Sequence, residues 1–164
     1  QTTKRRRGAG SEDYTPNTMA IAFRLIADPG ETEYRVVRVA SQAYTIGDSV
    51  MQDRTSDAID VVPATASSTT TNIYAVAMET VTSSATALLT ALVNERQRWQ
   101  ADTTNNSNTG HNYQRMLLTD KATVNNTGTD NTTKEAVFEQ LGIIGAVADK
   151  KIVGRFLAVA NVTA

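Results

Sequence analysis

The stretch YTIGDSVMQD, residues 44–53, contains two extended pieces separated by a Gly-Asp pair. Residues 44–46 and 50–51 are rich in the aromatic and β-branched residues that favour strands. A glycine inside such a run often marks a bend or a β-bulge. Because catalytic motifs also place a glycine beside a polar residue, the stretch predicts either a corner in a sheet or a site, and its surroundings must decide.

The sequence around this stretch predicts more strands. Residues 33–41 (EYRVVRVAS) and 72–80 (NIYAVAMET) alternate, the latter with Ile73, Ala75 and Ala77 expected on one face. Residues 59–65 (IDVVPAT) form a third candidate, in which Pro63 predicts an edge strand or a strand end. Asp28-Pro29-Gly30 predicts a turn before the first of these strands. Two further strands, EQLGIIGAV and KKIVGRFLAVANV, are predicted near the end of the chain, with a turn at Asp149-Lys150 between them.

Residues 85–99 (ATALLTALVNERQRW) are ambiguous on local pattern alone. Ala85, Leu88, Leu89 and Leu92 fit a helical stripe, whereas a turn at residues 82–84 would make LLTALV a buried strand. Two polar loops are expected, ADTTNNSNTGHN at 101–112 and VNNTGTDNTTK at 124–134.

A weak internal repeat favours the strand interpretation. YTIGDSVMQD, NIYAVAMET and ALLTALV follow one another with the same rhythm as NYQRMLLTDKATV, VFEQLGIIGAV and KKIVGRFLAV. LLTALV then corresponds to IVGRFLAV, whose β-branched residues, alternation and glycine indicate a strand. The sequence therefore predicts an all-β fold, a small β-barrel or sandwich built from two related halves.

The first eighteen residues predict an extended arm. They contain Lys4, Arg5, Arg6 and Arg7, two glycines and almost nothing apolar, so they cannot bury enough surface to fold alone. We expect an arm at residues 1–18 and a barrel domain at 19–164, anchored by the apolar run at 19–26. The four cations could contact nucleic acid, pair with an acidic groove on a protein, or remain a solvated tail.

Composition narrows the function classes. The formal net charge is −1, so no global field attracts nucleic acid or membrane. The absence of cysteine excludes disulfides, thiolate catalysis and cysteine-bound zinc. No apolar run is long enough for a membrane span and no basic-then-apolar leader opens the chain, so a soluble protein without membrane contact is expected.

The residues that could carry chemistry are sparse. His111 is the only histidine, and a solvated loop histidine is its expected role. Asp53, Asp57 and Asp60 could bind calcium, but they lack the glycine and glutamate of an EF-hand and favour a solvated loop. Trp99 fits a binding anchor and a core residue equally well. The serines have no plausible base and no phosphate-binding glycine loop is present, so we expect neither an enzyme nor a cofactor.

The sequence of residues 36–159 resembles the small β-barrel cement or decoration proteins of tailed-phage heads. YTIGDSVMQD, DVVPAT (60–65) and IYAVAMET (73–80) are similar to that family's Gly-Asp corner, V-V-P-A-T-like strand and Gly-Val-Ala strand. ADKKIVGRFLAV (148–159) is similar to the family's closing residues. Ala75 stands where the family usually has glycine. The resemblance covers residues 36–159 and leaves the arm outside.

This resemblance implies a structural virion protein that binds the capsid exterior and cements junctions between major capsid proteins. The Gly-Asp pair would then be a structural corner. Self-association as a dimer or trimer would suit two-fold or three-fold junctions. The predicted contact residues are Lys4, Arg5, Arg6, Arg7, Tyr14, Trp99, Asn106, His111 and Asn126.

Two alternatives remain open at this stage. A tail or head-fibre adhesin would use the loops at 101–112 and 124–134 to bind a host surface. An internal virion protein would bind nucleic acid through residues 4–7. Nucleic acid is the less expected partner, because the formal net charge of the chain is −1.

Overall fold

The computed structural model describes residues 21–28, 30, 32–127 and 134–158, and this part of the chain is all-β, as predicted. It contains eleven strands and two 3₁₀ turns, at Thr109–His111 and Val147–Asp149. The strands are β1 (Phe23–Ala27), β2 (Tyr34–Arg38), β3 (Ser49–Gln52), β4 (Val61–Pro63), β5 (Ile73–Ala77), β6 (Ala87–Leu92), β7 (Arg98–Thr103), β8 (Arg115–Leu118), β9 (Thr123–Asn125), β10 (Phe138–Ile143) and β11 (Lys151–Phe156).

The strands form two sheets with the same topology. We call β2–β6 the first half, in the order β2-β6-β5-β3-β4, and β7–β11 the second half, in the order β7-β11-β10-β8-β9. In the second half, β9 also pairs in parallel with β7 and closes a five-stranded barrel. In the first half, a single parallel bridge between Val39 and Val61 brings the two ends of the sheet together. The predicted pair of related halves is confirmed.

The correspondence extends to the pairing register. The pair Trp99–Gly154 of the second half is equivalent to the pair Arg35–Thr90 of the first half. The parallel contacts that join the ends of each sheet are also equivalent. Further corresponding pairs are Val37–Leu88 and Ala101–Ile152, Val50–Ala75 and Met116–Phe138, Ala75–Leu92 and Phe138–Phe156, and Val39–Val61 and Thr103–Val124. A one-residue slip would move every side chain to the opposite face, so this agreement is a strong sign of a duplicated fold.

β1 is the element that breaks the symmetry. It pairs antiparallel with β7, placing Phe23 opposite Ala101 and Leu25 opposite Trp99. It therefore joins the second half although it precedes the first half in the chain. The predicted boundary between arm and barrel at residues 18 and 19 lies outside the described residues, as do Lys4, Arg5, Arg6, Arg7 and Tyr14.

The two halves have differently filled interiors. Aromatic side chains fill the second half, where the Phe156 ring lies 5.0–5.8 Å from the rings of Phe23, Phe138 and Trp99. The first half holds mostly aliphatic residues; its buried cluster is Val37, Val39, Tyr44, Val50, Val61, Tyr74, Ala75, Ala77, Leu88 and Leu92. All five residues of β5 are buried, because its second face packs against the aromatic core of the other half.

The Gly47-Asp48 pair is a corner at which both halves meet. Gly47 has φ 92°, and a Cβ there would lie 2.7 Å from Ile21 Cγ2. Its carbonyl accepts from Phe23 N at 3.1 Å, while its N–H donates to Ala77 O at 2.8 Å. The buried Asp48 carboxylate pairs with Lys121 Nζ at 2.7 Å. The Gly-Asp pair is thus a corner of the backbone, one of the two roles its sequence allowed, and it also joins β1 and the β8–β9 turn to the first half.

Three local predictions are settled by the structure. Residues 87–92 form β6, a turn follows at residues 95–96, and β7 starts at Arg98, so the helical alternative for residues 85–99 is wrong. Pro63 ends β4 at the edge of the first sheet, as predicted. The turn before β11 is confirmed, since Lys150 adopts φ 54° after the 3₁₀ turn at Val147–Asp149.

Three other predictions need correction. The loop expected at 101–112 begins later, because residues 101–103 complete β7 with Ala101 and Thr103 buried. The loop expected at 124–134 also begins later, because β9 extends to Asn125 and buries Val124. In β5, Ile73 lies in the aromatic cluster with Val76, not on the face of Ala75 and Ala77. A register shift in the β3–β5 pairing opposite this point changes the alternation.

Candidate contact surface

The predicted polar loop at 101–112 and the described start of the second one, residues 126–127, lie side by side at one end of the second half. Asn126, only 3% exposed, donates through Nδ2 to Asn106 O at 2.8 Å and to Asn105 O at 3.2 Å. Its Oδ1 accepts from Asn105 N at 3.0 Å. Asn126 is therefore not an exposed contact residue, which corrects that prediction. It positions the backbone that presents Asn106, whose side chain is exposed.

A second buried amide holds the other end of the same loop. Gln140 in β10 is fully buried, and its Nε2 donates to Asn108 O at 2.7 Å and to Asn112 Oδ1 at 2.8 Å. The backbone carbonyl of Gln140 accepts from Tyr113 N at 2.7 Å. Asn108 in turn caps the 3₁₀ turn by accepting from Gly110 N at 2.8 Å. Hydrogen bonds from Asn126 and Gln140 thus hold the loop between β7 and β8 along its length.

This pinned loop presents an exposed aromatic residue. Tyr113 is 75% exposed and adopts φ 67°, a backbone conformation that is uncommon for a residue other than glycine. Ser107, also in the loop, donates through N and Oγ to Val147 O at 3.0 and 3.1 Å. Val147 is 50% exposed. We call Asn106, Asn108, Thr109, Tyr113 and Val147 the loop surface.

Pre-ordered loops with tyrosine and asparagine suit recognition of another surface. Tyrosine offers a large contact area with few rotatable bonds, and a rigid loop loses little entropy on binding. Sequence reasoning missed Tyr113 and Gln140. The signal for Gln140 was a lone amide within the apolar run VFEQLGI, because a buried amide needs polar partners.

Two predicted contact residues have other places in the structure. Trp99 is fully buried between Leu25 and Gly154, and its Nε1 donates to Gln97 Oε1 at 3.1 Å. It is therefore a core residue, the other of the two roles that its sequence allowed, and it is removed from the contact set. His111 ends the 3₁₀ turn and is half-buried, and its backbone N–H donates to Asn108 O at 3.1 Å.

A cleft of about 490 Å³ lies along β2, in the first half, whereas the loop surface belongs to the second half. We call it the β2 cleft. Its lining is Arg35, Val36, Val37, Arg38, Gln52, Asp53, Ser56, Asp57, Ile59, Asp60 and Tyr74. A neighbouring depression of about 480 Å³ is lined by residues of β3 and β4 and of the loops that follow these strands.

Of the three aspartates that could bind calcium on sequence grounds, Asp53 and Asp60 accept hydrogen bonds from neighbouring side chains. Arg38 donates to Asp60 Oδ1 at 2.7 Å, and this hydrogen bond lowers the pKa of the Asp60 carboxyl. Thr55 donates through Oγ1 and N to Asp53 Oδ1, which lowers the pKa of Asp53. Among residues 21–158, as far as they are described, no group of three or more His, Cys, Asp or Glu side chains could hold a metal ion.

The comparisons with known proteins assign the chain to no family. No family model and no curated protein matches the chain. Of the helical segments in the described residues, none has the length and apolarity needed to cross a bilayer.

Proposed function

We propose that this chain is a structural protein of a tailed-phage head that binds the outside of the assembled capsid. It would cement junctions between major capsid proteins and would not act as an enzyme. The proposal starts from the resemblance of residues 36–159 to head decoration proteins. The observation on which it most depends is the loop surface, where Asn126 and Gln140 hold an exposed Tyr113 and its neighbours in one arrangement.

The physical role of such a protein follows from mass action. A ligand that binds the assembled shell but not free subunits stabilises the shell in proportion to the logarithm of its concentration over its Kd. A rigid protein made of a closed barrel and a second sheet can bridge two subunits without deforming, so little binding energy is lost to deformation. The predicted self-association at two-fold or three-fold junctions would add contacts between copies.

Co-sedimentation with capsids that lack the protein tests this function. The intact chain is expected to bind saturably and to raise the melting temperature of the capsid. Tyr113→Asn should weaken binding about tenfold or more, the scale of an interface hot spot, while asparagine tolerates the positive φ. Ile26→Thr, at a 45% exposed residue of β1 that lies outside the loop surface, is the control and should bind normally.

The same assay assigns the role of the basic arm. Replacing Lys4, Arg5, Arg6 and Arg7 by glutamine in the full chain weakens binding if the arm contacts the capsid, and leaves it unchanged if only the loop surface does. Failure of the intact chain to bind or stabilise capsids contradicts the proposal. Binding to host cells or to DNA in that case would support the adhesin or the nucleic-acid alternative.

A further inference from the structure

The edge of β2 that faces away from β6 carries no strand in the described part of the chain. Val39 N donates to Thr86 O across the β2–β6 pair, so odd-numbered residues of β2 bond to β6. Antiparallel pairs alternate in the direction of their backbone groups. The N–H and C=O groups of Tyr34 and Val36 therefore point to the open edge.

The equivalent edge in the second half is filled. The register makes Val36 equivalent to Gln100, and Gln100 pairs with Arg24 of β1. The duplicated fold thus shows directly what this edge can accept, namely one short antiparallel strand. An open edge with unpaired backbone groups is a ready template for such a strand.

The β2 cleft lies along this open edge. All four of Arg35, Val36, Val37 and Arg38 line it, and the loop after β3 forms its other side. The closing bridge at Val39 and Val61 ends the cleft, where Asp60 Oδ2 accepts from Arg38 N at 2.8 Å. There is consequently room for a strand beside residues 34–37 but not beyond Arg38.

The charges of the cleft favour a basic occupant. Arg35 is paired with Glu33, and Arg38 with Asp60. Asp53 and Asp57 also line the cleft, and in the described residues neither forms an ion pair. Asp53 Oδ1 accepts from Thr55 and Asp57 attracts Arg38 without forming an ion pair with it, so both carboxylates can still pair with further cations.

The outer face of the same edge also suits cations with long aliphatic stems. Tyr34 and Val36 are 53% and 66% exposed there. A tyrosine ring attracts a cation placed over its face, and lysine and arginine stems cover apolar surface. Alternate residues of a basic strand would therefore find carboxylates on one side and apolar surface on the other.

We propose that residues 4–7, the sequence KRRR, dock as an additional strand on the open edge of β2 of the same chain. Two of the four side chains point towards Asp53 and Asp57, and the alternate two lie over Tyr34 and Val36. The backbone of the segment bonds to the free groups of Tyr34 and Val36. This site does not depend on capsid binding, and a partner that binds the arm would compete with it.

The chain length allows this docking within one molecule. Thirteen residues separate Arg7 from Ile21, and an extended chain of that length spans roughly 45 Å. Ile21 lies against Gly47 beside β5, two strands from β2 around the first half. Since adjacent strands are about 4.8 Å apart, the connection is long enough. A short tether gives a millimolar effective concentration, which favours the chain's own segment over that of a second copy.

A spin label tests the proposal in the full chain. The protein has no cysteine, so Thr3→Cys provides one labelling site beside Lys4. We expect the label to broaden the amide NMR signals of residues 34–38 and not those of β11. About 1 M salt, where the Debye length is about 3 Å, should restore them.

Two variants and one mixture sharpen the test. Asp53→Asn with Asp57→Asn should lower the ratio of docked to free segment about tenfold, while Glu95→Gln, an exposed acid outside the cleft, should change nothing. A sample of labelled chain mixed with unlabelled, isotope-enriched chain should show no broadening. Absent broadening in the labelled chain, indifference to the aspartate variants, or equal broadening in the mixture would each overturn the proposal.

Discussion

The two halves share one strand order and one register but differ in what fills and covers them. The second half has four aromatic rings in contact and a strand along the free edge of β7. The first half has smaller side chains and an open edge at β2. The backbone pairing therefore does not dictate closure, which depends on the side chains placed at equivalent positions.

The pair of Trp99 and Gly154 shows how side chains make the difference. A Cβ on Gly154 would lie 2.3 Å from Phe138 Cε1, so the glycine lets this ring pack directly against the strand. At the equivalent positions in the first half, Arg35 points into the β2 cleft and Thr90 Oγ1 donates to Arg35 O at 2.8 Å. At these positions, tryptophan and glycine make an apolar core in the second half, whereas arginine and threonine make the equivalent edge of the first half polar.

The largest expected effect compares equivalent residues of the two cores. Phe156→Ala should lower the free energy of unfolding by about 3–5 kcal/mol, because it removes a ring that contacts three others. Leu92→Ala, at the equivalent position and 8% exposed, should cost about 2–3 kcal/mol. Urea denaturation measures both. Equal losses would show that the two cores contribute alike, against the comparison drawn above.

A second pair of variants tests the corner between the halves. Gly47→Ala should cost about 2–4 kcal/mol, since it combines positive φ with a clash against Ile21 and Ala22. Gly30→Ala has a similar φ of 82° but open space around the new Cβ, and should cost about 1 kcal/mol. Thermal unfolding of both variants gives the steric part by difference, and a Gly47 variant no worse than the Gly30 variant would argue against a close-packed corner.

Ion pairs provide the third comparison. Asp48→Asn should cost about 1–2 kcal/mol, because the nearly buried carboxylate joins the first half to Lys121 of the second. Asp102→Asn removes a more exposed pair with Lys151 inside the second half and should cost about 0.5 kcal/mol. Chemical denaturation at neutral pH separates the two. A larger loss for Asp102 would mean that the pair between halves contributes little.

The smallest expected effect concerns how acid lowers the stability of the first half. Arg38 lowers the pKa of Asp60 below the ordinary 3.8, so the folded state holds the carboxylate more strongly than the unfolded chain does. This contribution is complete above the ordinary pKa and is lost as the pH falls through the lower folded pKa. Asp60→Asn should therefore lose less stability than the wild type between pH 5 and acid, measured as the change in urea midpoint. An unchanged acid dependence in the variant would assign the effect to other carboxylates.

Much of the fold was predictable because strand signals are local. Alternation and β-branched residues predicted β2, β5 and β11, and the repeat identified LLTALV as a strand where its own pattern was ambiguous. β7 was missed in part, because Gln100, Asp102 and Thr103 are polar and only their alternate burial marks a strand. The pairing of β1 with β7 joins residues more than seventy positions apart, and no local pattern encodes such a contact.

The candidate surfaces were less predictable for a related reason. Whether Trp99, Asn126 and Gln140 face solvent depends on what packs over them, and the covering residues come from distant parts of the chain. The open edge at β2 is visible only by comparison with β7. Sequence alone names these residues but cannot say which face of the assembled fold they occupy.

Amide hydrogen exchange at Val36 and Gln100 tests the central comparison most directly, because the two residues are equivalent in the duplicated fold. In about 1 M salt, where the docked segment is expected to release, Gln100 should exchange at least about a hundredfold more slowly than Val36, a difference of about 2.7 kcal/mol in opening free energy. At low salt, Val36 should gain protection. Equal protection at both residues in high salt would contradict the claim that one half has a filled edge and the other an open one.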